Sequence, residues 1–144
     1  MAVLRVYDAW DCTDANGAPH NGGSRSAPVE ITVDGYVDDA TVSLATATSL
    51  TLWNSAEAIT TFDFFWLVAD QDLKIEITCD RGGEVGLEEF VFVHPAYKPF
   101  RLLDDAALAL YSGTLSAGTL DTIDEVVVRN ESGTTATIRR VIIT

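Results

Sequence analysis

The sequence predicts an all-β fold: a β-sandwich of the jelly-roll kind, mostly antiparallel, with about eight to ten short strands and at most one short helix. Three observations predict it. Runs rich in β-branched and aromatic residues recur at strand length, Gly/Asn/Asp/Pro clusters separate them, and no heptad, internal repeat or sustained helical period interrupts the series. The 144 residues suit a single domain spanning 1–144. A chain of that size buries roughly two-thirds of its unfolded surface and needs no metal or disulfide staple.

In chain order, "VLRVYD" (3–8) opens as a short strand. Residues 11–27, "DCTDANGAPHNGGSRSA", are rich in Gly, Asn, Ser and Pro and form the longest expected loop. In "VEITVDG" Val29, Ile31 and Val33 alternate with Glu30, Thr32 and Asp34, the pattern of a half-buried strand. "ATVSLATATSLTLW" (40–53) reads as two short strands.

The stretch "DFFWLVA" does not alternate and reads as a central strand buried on both faces, with Trp66 in the core. "LKIEITCD" alternates strictly, turning Leu73, Ile75, Ile77 and Cys79 inward; residues 64–68 and 73–79 are expected to pair as an antiparallel hairpin. "EFVFVH" and "FRLL" are two further strands on either side of "PAYKP". "DDAALALYSG" (104–113) is the one helix-like piece, with Asp104 as its cap. The last stretch, "IDEVVVRNESGTTATIRRVIIT", reads as a hairpin turning at 130–133.

Four acids, Asp63, Asp70, Asp72 and Asp80, lie among the most apolar residues of the chain. Their positions are those of turn punctuation. Asp70 and Asp72 sit between two strands, where a carboxylate accepts backbone N–H groups, and Asp80 precedes "RGG", where glycine tolerates positive φ.

Other chemistry finds little footing. Aligned on Asp14, Asn16 and Gly17, an EF-hand loop would start at Cys12 and end at Gly23, missing its first ligand and its bidentate glutamate. A looser calcium site from Asp8, Asp11 and Asp14 competes with a simple Asx-turn loop. His20, His94, Cys12 and Cys79 lack zinc-ligand spacing, and no nucleophile elbow accompanies either histidine. The reading is non-enzymatic, without cofactor or metal. His94, on one face with Phe90 and Phe92, is expected to be a half-buried strand-end residue. The three tryptophans, with Tyr7, Tyr36, Tyr97 and Tyr111, are the aromatics from which a carbohydrate-binding module would build a stacking platform; of the tryptophans, Trp10 and Trp53 flank loops and are the two expected at the surface.

Net charge is −13, from 22 acids and 9 bases, which disfavours nucleic-acid binding. Two cysteines and no signal-like start suggest reduced thiols and synthesis in a cytoplasm, and no apolar run approaches the ~18 residues of a membrane span.

From Trp53 onward the chain resembles small structural proteins of tailed bacteriophages, of the capsid-decoration or head-stabilising kind. The likeness lies in "FFWLVADQDLKIEITCDRGGEVG", "PFRLLDDAALAL" and the closing "IDEVVVRNESGTTATIRRVIIT", about two-thirds of the chain; residues 1–52 add little. It implies a β-rich cement protein on the outer capsid surface, made in the host cytoplasm. The partners implied are the major capsid protein or other virion proteins, and further copies of itself, with a trimer favoured. It carries no catalytic residues over. A head–tail connector or tail component is the alternative within virions. Trp10 beside the long loop, and Arg139 and Arg140 on the apolar last strand, are the candidate interface residues.

Overall fold

Ten strands carry the described secondary structure, and no described residue is helical. The computed structural model describes residues 2–13, 19–33, 35, 37–81, 84–102 and 120–144, with the backbone alone at 2, 4, 6–13, 19–29, 31–32, 80–81, 84–88 and 120–121. The helix expected at 104–113, and Gly82 and Gly83 of the "RGG" turn, lie outside the described residues.

The chain divides into two compact units, Met1–Gly35 and Tyr36–Thr144, where the sequence reads as one domain. The first is a ribbon of two antiparallel strands, β1 (Ala2–Thr13) and β2 (Pro19–Val33). Pairing runs from Ala2↔Val33 to Thr13↔Pro19, with one irregularity between Val6 and Asp8. The long loop expected at 11–27 is therefore mostly strand, since 11–13 lie in β1 and 19–27 in β2, with 19–24 paired to β1. Low β-propensity residues are carried along because ladder hydrogen bonds come from the backbone, and Gly22 and Gly23 fall opposite Trp10 and Ala9.

The second unit holds β3 (Val37–Leu44), β4 (Thr48–Asn54), β5 (Phe64–Ala69), β6 (Leu73–Arg81), β7 (Glu84–His94), β8 (Phe100–Leu102), β9 (Leu120–Asn130) and β10 (Ala136–Ile143). They form two four-stranded antiparallel sheets, ordered β3-β10-β5-β8 and β4-β9-β6-β7. The pairs are nested: β3 with β10, β4 with β9, β5 with β8, and β6 with β7. This is one long hairpin rolled into a sandwich, the jelly-roll arrangement that the strand-and-turn rhythm predicts.

Rolling also explains two corrections. β5 and β6 follow one another in sequence but lie in different sheets, so the hairpin expected from 64–68 and 73–79 does not form; β6 pairs with β7 and β9 instead. β9 and β10 likewise part company, and 130–135 is a corner between sheets rather than a hairpin turn. Alternation and turn residues look the same at a corner and at a hairpin.

Leu73, Ile75, Ile77 and Cys79 all face inward, as their alternation predicts. The run before them has a less symmetrical fate. Phe64, Phe65, Leu67 and Ala69 are buried, but Trp66 and Val68 are only half-buried on the other face of β5. Trp53, expected at the surface, is 3% exposed and packs edge-on against Phe62 with centroids 4.9 Å apart. The Trp53 assignment is thus reversed, and Trp66 lies at the margin of the core rather than inside it. A bulge between Thr51 and Trp53 is the cause of the reversal, because it sets Leu52 and Trp53 into the core as neighbours. Phe62 continues to Phe65 and Phe65 to Phe100, a row of rings between the two sheets.

Candidate functional site

In a rolled hairpin the corners β3/β4, β5/β6, β7/β8 and β9/β10 gather at one end of the sandwich. Hydrogen bonds tie them together there. Asp70 Oδ1 accepts the Thr137 N–H at 2.7 Å, and Asp72 Oδ1 accepts the Ala96 N–H at 2.8 Å. Both aspartates accept backbone N–H groups, but not within their own turn as expected: Thr137 belongs to β10 and Ala96 to the β7/β8 corner. Asn130 completes the set, donating to the carbonyls of Leu44 and Thr134 while its own oxygen receives the Ser132 N–H and hydroxyl. Ala47, at φ 59°, donates its N–H to the Asn130 carbonyl.

Tyr97 stands out at this end. It takes φ 59°, a left-handed conformation costing a non-glycine residue about 1–2 kcal/mol. Its N–H is held by the Ala69 carbonyl at 2.7 Å, and its ring is 74% exposed. An exposed aromatic on a restrained corner is the kind of strain that accompanies a binding surface. Beside it lies an open groove of about 620 Å³ lined by Gln71, Asp72, Lys74, Val93 and Glu131 among others. Lys74 donates to Glu76 at 2.9 Å, which raises its pKa above the ordinary 10.5 and keeps it cationic. An aromatic face ringed by an amide, carboxylates and an ammonium can stack a flat apolar surface while bonding its polar edge.

A second concavity, of about 460 Å³, opens where Leu52, Trp53, Glu57 and Ile59 meet Asp38 and Arg140. Arg140, one of the candidate interface residues, spends its guanidinium on the Asp38 carboxylate at 2.7 Å and on the Leu52 carbonyl. Arg139 points to the opposite face, where its Nε and Nη2 bind both oxygens of Asp39. The apolar strand that carries them, β10, lies between β3 and β5 and is not an edge. Its hydrophobicity is met inside the sheet. The structure therefore does not bring Trp10, Arg139 and Arg140 together as one surface: the arginines belong to the jelly roll, Trp10 pairs with Gly22 in the ribbon, and the Trp10 side chain lies outside the described residues. Tyr97 is one of the aromatics that the sequence offers to a sugar-stacking surface, but nothing there singles it out beyond its Pro-flanked corner, "PAYKP".

His94 is half-buried as expected, with Nε2 2.9 Å from the Lys98 carbonyl and its ring against Phe100. Among the described residues, no three His, Cys, Asp or Glu side chains gather as metal ligands would. The side chains of Asp8, Asp11 and Asp14 lie outside those residues.

The Arg139 hydrogen bond holds the Asp39 carboxyl below its ordinary 3.8. A depressed carboxylate stabilises the fold above its unfolded pKa, and that contribution disappears as pH falls through the folded value. Asp39→Asn should therefore be slightly less stable than the wild type at neutral pH, a small effect because the pair is exposed. The two proteins should become equal in acid well below 3.8. Urea midpoints measured across that range check it, and a difference persisting in strong acid would show that the amide perturbs something other than the ion pair.

No protein-family model and no curated protein matches the chain. Among solved structures, the chain is similar to the Yersinia pseudotuberculosis-derived mitogen, at 12% identity and TM-score 0.45 over 76% of this chain and 86% of that one. It is also similar to a pilus protein of Bacillus endospore appendages, a family of disulfide-linked pili, at 12% identity and TM-score 0.35 over 76% of this chain and 87% of the other.

Proposed function

We propose that the protein is a non-enzymatic structural protein that docks onto an assembled protein shell, in the manner of a capsid decoration or cement protein on the outer surface of a virion. The observation that carries this reading is the ribbon. Among the described strands β1 and β2 pair only with each other, over 12 and 15 residues. A lone two-stranded ribbon is marginal in water, and its outer edges offer backbone groups to a neighbouring chain. A capsid protein or another virion protein is the partner that the resemblance implies, and an acidic chain of net charge −13 suits a basic patch on it. The jelly roll serves shells and sugar-binding proteins alike, so the fold does not choose between them. A head–tail connector would use the same ribbon at a different place in the particle.

A carbohydrate-binding module is the second reading, favoured by one feature, the exposed Tyr97 above its polar groove. It no longer draws on Trp53, which is buried.

The experiment is sedimentation of the purified protein with virions stripped of it. Trp10→Ala should weaken binding by roughly 30-fold or more, as loss of an interface anchor does, while far-UV circular dichroism stays unchanged. A folded Trp10→Ala protein that binds like the wild type would remove the ribbon from the interface. A wild type that never sediments with particles, but binds a glycan array through Tyr97, would replace the shell reading with the sugar one.

A further inference from the structure

The two sheets present four edges, and three of them carry devices that discourage pairing with another chain. β8 is only three residues long. β4 is broken by its irregularity between Thr51 and Trp53. β3 carries Asp38 and Asp39 on successive positions. Short length, bulges and charge are the usual protections of an edge strand.

β7 has none of them over its second half. It is eleven residues long, and its register with β6 is regular from Leu73↔His94 to Cys79↔Glu88. Val91 is 45% and Val93 70% exposed on its outer face, while Phe92 and His94 turn toward Phe100. Among the described strands its far side has no neighbour. The acids of the strand, at positions 84, 88 and 89, all precede its apolar positions 90–93.

We propose that β7 is a self-pairing edge, and that two copies of the protein join through it, antiparallel, about a two-fold axis through Val91. The occupant is a second copy because the charge pattern of β7 complements itself in that direction. An antiparallel partner centred on Val91 sets Phe90 against Phe92 and Glu89 against Val93, and sends the acidic halves of the two strands to opposite ends. Two chains of net charge −13 can then meet without facing carboxylates. A parallel pairing would align acid with acid. The joined sheets become one sheet of eight strands, and the arrangement closes at two copies, since a two-fold interface uses the same patch on both. It stands whether or not the protein also binds a shell, and it differs from the trimer that the resemblance favours.

The test uses the free protein, without particles. Sedimentation velocity at about 100 μM, above the micromolar Kd at the weak end of standard interfaces, should show a concentration-dependent dimer. Val93→Glu should make it monomeric with an unchanged circular dichroism spectrum, because the side chain is already exposed and the new carboxylate falls opposite Glu89 of the second copy. Val91→Cys should form an intermolecular disulfide on mild oxidation, since residues opposite one another across an antiparallel pair have Cα atoms about 4.5–5.5 Å apart, within disulfide reach. Wild type and Val37→Cys, which places a thiol on the β3 edge, should not. A monomeric wild type, a dimer that survives Val93→Glu, or a Val91→Cys protein that fails to cross-link would each overturn the proposal.

Discussion

Trp53→Ala should cost about 3–5 kcal/mol of stability, the range for deleting a large buried aromatic. The ring is nearly inaccessible, makes the edge contact with Phe62 at 4.9 Å, and walls the concavity beside Arg140. Its buried indole N–H has no acceptor among the described residues, an unmade bond that would carry a penalty of its own. Trp53→Phe keeps the ring and discards that N–H, and should cost less than about 2 kcal/mol. Trp66→Ala should likewise be mild, about 1–2 kcal/mol, because only part of that side chain leaves water. Urea denaturation of the three variants decides the matter. If Trp66→Ala were the most damaging of them, the inward and outward faces of β5 would be assigned the wrong way round.

Asn130→Ala is expected to be the next most harmful change, at about 2–4 kcal/mol, because it strands buried polar groups rather than removing apolar area. Asn130 is the buried polar residue of the described core, and its amide serves two corners at once, β3/β4 and β9/β10. Leu44 loses a donor to its carbonyl, Thr134 loses another, and the Ser132 N–H loses its acceptor. Asn130→Asp offers a sharper comparison: it keeps the acceptor for Ser132 but turns a carboxylate toward two carbonyl oxygens. Both variants should fall well below the wild type in urea midpoint. A wild-type midpoint for Asn130→Ala would mean that water replaces the amide at this corner.

The residues that made the fold legible were those with strict alternation. Leu73, Ile75, Ile77 and Cys79 state which face of β6 is buried, and the regular spacing of turns states that many short strands must stack into layers. What a single sequence does not state is which strands pair. Asp70 and Asp72 sit between two strands whether the chain doubles back within a sheet or crosses to the other, and only their partners, Thr137 and Ala96, reveal the crossing. The tryptophans failed for a related reason. A run such as "FFWLVA" has an apolar residue at every position, so alternation cannot tell Phe65 from Trp66. A bulge shifts the phase at Trp53 without any mark in the sequence. In the candidate site, Arg139 and Arg140 looked available because Asp38 and Asp39 lie so far away along the chain. Ion pairing across 100 residues is invisible to local pattern.

The nested pairing also dictates an order of assembly. β6 and β7 are neighbours in sequence and can close as soon as both exist, whereas β3 must wait for β10, whose Arg139 reaches back to Asp39 across those 100 residues. Non-local strand pairs of this kind make folding slow, because loop entropy is spent before contacts form. Here the delay has a particular location. β10 occupies the middle of its sheet, so until residues 136–143 leave the ribosome, β3 and β5 stand apart with a strand-wide slot between them. During that interval the nascent chain exposes the edges of an unfinished sheet, which closes only when β10 fills its centre.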